Sequence, residues 1–261
     1  MHNNACLFCK IGCGKTTLTN ELVGSLQAEG ISSFCVSLDD FYLAHEEQEA
    51  ILKGGGNSLL TERGLPGTHD MALLGKTLTD MVGNCESGIV QVPQYDKSAF
   101  KGQGDRSATW RTLNSAVDVV LFEGWMLGFI AISDSEMQGI INGLGPDACA
   151  HRHPLFEIQA VNNKLAEYEN VLYSRFDAFI HLASDSSFVF EWRWEQEQGL
   201  VQRTGSGMSR EKVRNFVDRF MVCYEIYLPR LLRGRWGWVA PGRGLQLELD
   251  KERRMIRVRE L

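Results

Sequence analysis

A three-layer α/β fold, with a mainly parallel sheet flanked by helices, is predicted by three features of the 261-residue sequence. Short apolar runs alternate with helical patterns through most of the chain. The first run, residues 5–8 (ACLF), leads into a glycine-rich turn, an amphipathic helix and a second apolar run. That strand–turn–helix–strand unit builds parallel sheets. A later run, VVLFEGW, is apolar enough for a buried strand yet delivers an acid near its end. No linker divides the chain, so residues 1–261 read as one domain.

The elements follow in order. From Lys15 to Glu29, Leu18, Leu22, Val23 and Leu26 recur at helical spacing, and Gly30 stands just past the end. SFCVSL reads as a buried strand ending at Asp39. Residues 47–70 have turn chemistry and read as a loop region. Asp70 can cap a helix whose inner face carries Met71, Leu74, Leu78, Met81 and Val82. IVQVP is a short strand, and the polar, glycine-rich residues 95–110 read as a long exposed loop. Residues 133–155 read as irregular and look like an insertion, with His151 and His153 on a surface loop rather than on a metal. Residues 157–176 are helical, AFIHLA is a strand, and SSFVFEWRWEQEQ is a helix with an aromatic face. Ser209 caps a helix that runs until Pro229, and residues 245–261 form a final strand pair.

The bulk composition excludes several function classes. With 27 basic against 33 acidic residues the net charge is −6, which argues against broad electrostatic binding to nucleic acid. The six tryptophans, Trp110, Trp125, Trp192, Trp194, Trp236 and Trp238, have no basic stripe beside them and read as core and lid packing. The most apolar run is too short for a membrane helix and is interrupted by Glu123. Seven scattered cysteines do not have the spacing of a disulfide framework. They fit a reducing compartment, the cytoplasm, with the nucleus also open to the chain.

GCGKTT, opening the first helix, matches the end of the phosphate-binding pattern G-x-x-x-x-G-K-[ST], with Cys9 where its first glycine would stand. The chemistry sits in the later residues. Backbone N–H groups around Gly12 to Thr16 form an anion nest at a helix N-terminus. Lys15 would reach the β- and γ-phosphates, and Thr16 would ligate Mg²⁺. Asp39, one strand–helix–strand unit later, falls at the carboxyl edge of the sheet, where ligands bind. It is placed to orient or deprotonate an attacking hydroxyl, with Asp40 the better candidate to cap the next turn. Glu123 would reach the same edge and hold the Mg²⁺ shell. A lysine, a hydroxyl and two acids around one point suit phosphoryl transfer, which asks for positioning and charge neutralisation.

GCGKTT, SLDDFYL, RGLPGTHDM, YDKSAFKGQGDR and FEGWMLGF together resemble the plant-type D-glycerate 3-kinases, and more closely the fungal ATP-dependent kinases of that family. The resemblance runs from about Gly12 to Leu249. It implies a P-loop kinase fold of the phosphoribulokinase and uridine kinase group, using ATP and Mg²⁺. It also implies that Gly12, Cys13, Gly14, Lys15, Thr16 and Thr17 hold the nucleotide, that Asp39 is the base and that Glu123 is the metal-side acid. FEWRWEQE is similar to the lid helix of that group, which implies a helical lid over about 186–210 with Arg193 folding over the phosphates. Relatives usually lack a glycine at the position of Cys9, but Lys10-Ile11 replaces their Pro-Gln, and plant forms carry more chain before the loop. A truncated or mispredicted start is one reading of that segment.

Glycerate is a small hydroxylated anion, so its site needs a cation in fork geometry and a base near the hydroxyl. Arg63, His69, Tyr95, Lys97 and Arg106 fall in the two polar loops, and Arg63, Lys97 and Arg106 are the candidates for a carboxylate clamp. The leading expectation is an ATP-dependent kinase acting on a hydroxyl of D-glycerate or a similar metabolite. A nucleoside kinase and a nucleotide-binding regulator with little turnover are the alternatives. The sequence leaves the oligomeric state open.

Overall fold

The computed structural model describes residues 3–9, 12–83, 88–115, 117–205, 207–234, 236 and 239–261. Lys10, Ile11, Cys85 and Trp238 lie outside the described residues. Ten strands are described: β1 (Asn3–Cys9), β2 (Ser33–Ser37), β3 (Val90–Val92), β4 (Tyr95–Asp96), β5 (Asp105–Arg106), β6 (Arg111–Leu113), β7 (Val119–Gly124), β8 (Ala178–Ala183), β9 (Gly244–Leu249) and β10 (Met255–Glu260). The α-helices are α1 (Lys15–Ala28), α2 (His45–Gly55), α3 (Met71–Gly83), α4 (Asp134–Gly143), α5 (Leu155–Leu172), α6 (Phe188–Thr204) and α7 (Arg210–Leu232).

The main sheet has the order β10-β9-β8-β1-β7-β2. All its neighbours are parallel except β10, which returns antiparallel on β9. Side chains alternate between the faces of each strand, and the two faces bury different partners. Val36, Val120, Phe122 and Phe179 join the large core with residues of α3, α5 and α7, among them Leu74, Leu165 and Phe220. Leu182 and Ile180 pack on the other side with Leu18 of α1 and Trp192 of α6. Helices on both faces of a mainly parallel sheet are the three layers predicted. Among the described residues no helix is long and apolar enough to cross a membrane.

The structure departs from the sequence reading at five places. Within 47–70 lies α2, a helix without a buried residue, so it has no apolar stripe to betray it. It is held by Glu47, whose carboxylate accepts the Ala44 N–H at 2.8 Å, and it stops at Gly56 with φ 61°. Residues 95–110 are an ordered arm rather than a bare loop: β4 pairs with β5, and β3 with β6, both antiparallel. Within 133–155, Ser133 caps α4 by accepting the Glu136 N–H, and Met137 and Ile141 turn inward. Helix α7 continues through Pro229 to Leu232, because buried Leu228 and Leu231 anchor its last turn against the loss of one backbone bond. Lastly, Cys13 is joined in a disulfide, whereas Cys35, Cys149 and Cys223 are free thiols.

Candidate active site

The loop between β1 and α1 takes its shape from two glycines in the left-handed region, Gly12 at φ 83° and Gly14 at φ 96°. Gly12 also has no room for a side chain, since a Cβ there would stand 2.7 Å from the Cβ of Trp192 on α6. Helix α1 starts at Lys15 with no side-chain cap and no acid in its first turn. Its first N–H groups and the positive end of its dipole are therefore available to an anion. Thr16 and Thr17 are exposed on that turn.

Strand register brings the acids to this loop. Glu123 near the end of β7 pairs across the sheet with Ser37, the last residue of β2. The Ser37 hydroxyl donates to Glu123 Oε1 at 2.7 Å, and Thr16 Oγ1 lies 3.5 Å from the same oxygen. Burial raises the pKa of Glu123 against the opposing pull of Lys15. Desolvation lowers that of Lys15 against the pull of Glu123 and Asp39. The thiol-free set of one hydroxyl and one carboxylate suits a hard divalent cation that takes its remaining oxygens from phosphates and water. Among the described residues no cluster of three or more His, Cys, Asp or Glu could hold a metal without such help.

Asp39 follows β2 on a single 3-10 turn, Leu38–Phe41. Lys97 Nζ of the arm reaches its Oδ2 at 2.6 Å, and the Tyr42 hydroxyl donates to its Oδ1 at 3.1 Å. Burial works against the charge on Asp39, but Lys97 and Lys15 outweigh it and hold the carboxyl well below the usual range. Asp40 does not cap the turn, as the sequence reading had it. Ser37 does so, accepting the Asp39 N–H, while Asp40 pairs with Arg111 at 3.0 Å.

The predicted acceptor-side residues divide. His69 stacks on Tyr42 with ring centroids 4.4 Å apart, which brings it beside Asp39. Tyr95 meets Tyr42 edge-on at 5.3 Å, and its hydroxyl accepts from Gln48 at 2.7 Å. Lys97 is committed to Asp39, and Arg106 to Asp70 at 3.0 Å. Arg63 donates to the carbonyls of Lys97, Gly102 and Gln103, so its fork holds the arm. Each of the three clamp candidates already has a partner in this structure, although the buried Nε of Arg106 has none among the described residues.

Burial pulls the His69 imidazole down to about 3, against the smaller opposing pull of Asp39. An unfolded histidine titrates near 6.5, so between those values the unfolded chain takes up a proton that the folded one refuses. The stability is whole above about pH 6.5 and is lost as pH falls towards 3. From pH 7 to 5 this one group is expected to cost about 2 kcal/mol. Urea unfolding of the wild type and His69→Gln at both pH values measures it: the wild type should lose that much more than the variant.

Arg193, which the lid reading sets over the phosphates, has a partner on its own helix. Its guanidinium pairs with Glu197 one turn on, at 2.7 Å, and lies over the Phe216 ring. The i, i+4 spacing of opposite charges makes that pairing local and cheap in entropy. Arg253 of the β9–β10 turn reaches the phosphate loop instead. Its Nε donates to Gly12 O at 2.9 Å, Nη2 pairs with Glu195 at 2.8 Å, and the guanidinium covers Trp192. The sequence reading missed it because its partner lies 241 residues away. Tyr42 and Ser37 were missed beside the Asp39 they serve. Arg253→Ala is expected to raise the KM for ATP about fivefold, the loss of roughly 1 kcal/mol for one hydrogen bond. An unchanged KM would show that the loop holds its shape without it.

No protein-family model matches the chain. The chain is 36% identical over 250 residues to the chloroplastic D-glycerate 3-kinase of Arabidopsis thaliana, a match that covers 94% of this chain and 52% of that one. It thus spans about half the length of that relative. The probable ATP-dependent kinase TDA10 of Saccharomyces cerevisiae is 38% identical over 205 residues, covering 76% of this chain and 67% of that one. The solved D-glycerate 3-kinase of Cryptococcus neoformans superposes with a TM-score of 0.89 at 30% identity, over 100% of this chain and 90% of that one.

Proposed function

The chain belongs to the D-glycerate 3-kinase family, and we propose that it transfers the γ-phosphoryl group of ATP to a hydroxyl of D-glycerate. The observation that carries this reading is the gathering of Lys15, Thr16, Glu123 and Asp39 at the carboxyl edge of one parallel sheet.

In this reading the N–H groups of the loop and Lys15 cradle the β- and γ-phosphates. Thr16 and Glu123 would hold Mg²⁺, which when bound neutralises charge on the phosphate oxygens. Asp39 orients the acceptor hydroxyl for in-line attack and takes its proton as the O–P bond forms. Its low affinity for protons is no bar: in a loose transition state the hydroxyl gives up its proton late, and orientation is the larger contribution. Lys97 and Tyr42 keep that carboxylate ionised and aimed. The substrate carboxylate would share Lys97 with Asp39 or draw Arg106 from Asp70. The lid is the segment around α6, whose Trp192 already closes on Gly12. The whole chain acts as one kinase domain.

The test is ADP release from Mg-ATP by the purified chain, with and without D-glycerate. Glycerate-dependent ADP is expected. Bound ATP with no stimulation by glycerate would move the activity to another hydroxylated acceptor.

A further inference from the structure

We propose that Tyr168 fixes the proton of His69 on Nε2, so that His69 meets the acceptor substrate as a neutral hydrogen-bond donor to one of its oxygens. This rests on the kinase reading above and adds the residue that sets the polarity of the acceptor pocket.

Hydrogen-bond accounting carries the assignment. The Tyr168 hydroxyl, on α5, is buried and has two hydrogen-bond neighbours among the described residues: the Gly67 N–H, which donates to it at 3.3 Å, and His69 Nδ1 at 2.8 Å. Gly67 can only donate. If Nδ1 also carried its hydrogen, two donors would converge on the phenol oxygen, and the phenol hydrogen would have no acceptor among the described residues. The large majority of buried hydroxyls place their hydrogen on an acceptor. The consistent arrangement is Gly67 N–H to Tyr168 O, and Tyr168 O–H to His69 Nδ1. Burial keeps the phenol protonated, so the donor is present throughout the working pH range.

The hydrogen of a neutral imidazole then sits on Nε2. That atom is buried and has no partner among the described residues. A buried donor without an acceptor costs about 1–3 kcal/mol, which an oxygen brought into the site would relieve. The position is held from both sides. Leu43 N–H donates to Thr68 O at 3.0 Å, and Asp70 N–H donates to Phe41 O at 2.8 Å. These bonds set His69 opposite Tyr42, whose hydroxyl touches the Asp39 carboxylate. The unpartnered N–H and the proposed base therefore stand around Tyr42, close enough for the Asp39 charge to act on the His69 ring. A neutral donor there recognises an oxygen without placing a second cation beside Lys97, and it stays uncharged as the hydroxyl loses its proton to Asp39. His69 would touch substrate; Tyr168 is a positioning residue that acts through it.

The experiment has two arms. Long-range ¹H–¹⁵N correlation on the ¹⁵N-labelled full chain reads the tautomer without substrate, with His69 assigned by its absence from His69→Gln. A neutral ring protonated on Nε2 is expected in the wild type, and a mixture of tautomers in Tyr168→Phe. In kinetics, Tyr168→Phe should raise the KM for D-glycerate about tenfold with the KM for ATP unchanged. His69→Gln, whose amide N–H stands near the Nε2–H position, should keep glycerate kcat/KM within about fivefold, whereas His69→Leu should lose about a hundredfold. Thermal melts and the ATP KM of each variant separate these effects from misfolding. A wild-type ring protonated on Nδ1 overturns the proposal, and so does an unchanged glycerate KM in Tyr168→Phe. A wild type that turns over no glycerate overturns the substrate reading, and the tautomer still decides the assignment of His69 by itself.

Discussion

Replacing Lys15 by alanine is expected to cut kcat/KM about a thousandfold, the loss of roughly 4 kcal/mol of transition-state stabilisation. Lys15 begins α1, at the point where uncapped N–H groups converge. It is the cation that acts most strongly on Glu123, and with Lys97 it holds the charge on Asp39. Without it, the charge that builds on the transferring phosphoryl group would face two carboxylates. ATP binding should weaken less than turnover falls, because the backbone nest and the helix dipole remain. Lys15→Arg should not restore the rate. A planar guanidinium does not reproduce the compact point charge of an ammonium at the same place. Calorimetric ATP titration beside steady-state ADP release separates the two losses. A Lys15→Ala chain with wild-type kcat/KM would remove the loop from the chemistry.

The phosphate side of this site was legible because its residues announce themselves locally. GCGKTT gives a turn, a helix start and a cation within six residues, and a buried strand that ends in an acid has few other purposes. The acceptor side was legible only as a pool of polar residues. Whether Lys97 reaches Asp39 or Arg106 reaches Asp70 depends on contacts 58 and 36 residues apart. The arm that supplies them is built from positive-φ residues and two-residue strands without periodicity. For Arg193 a motif spoke for the phosphates, while Glu197, four residues on, offered a near partner in plain sight. Helix α2 was hidden because periodicity reports burial, and that helix has no fully buried residue.

Asp39→Asn should lower kcat about a thousandfold and leave the KM for ATP unchanged. Asparagine keeps the shape of the side chain and its contact with Tyr42, but it cannot accept the hydroxyl proton. It also removes the charge that holds Lys97 2.6 Å away. Lys97 is more than half exposed, so its ammonium would turn to solvent or to the substrate rather than unfold the arm. The losses should therefore be non-additive. Lys97→Met alone ought to slow turnover by leaving Asp39 less firmly ionised and aimed, and should add little in the Asp39→Asn background, where no carboxylate remains to be aimed. The pH profile gives an independent check. Because Lys97 and Lys15 hold the Asp39 carboxyl well below the usual range, no acid limb belonging to it should appear near neutrality in the wild type. In Lys97→Met such a limb should move upward towards the carboxylate range. If Asp39→Asn instead keeps its kcat and raises only the KM for glycerate, Asp39 holds the substrate and does not receive its proton. The hydroxyl would then lose that proton to the transferred phosphoryl group itself.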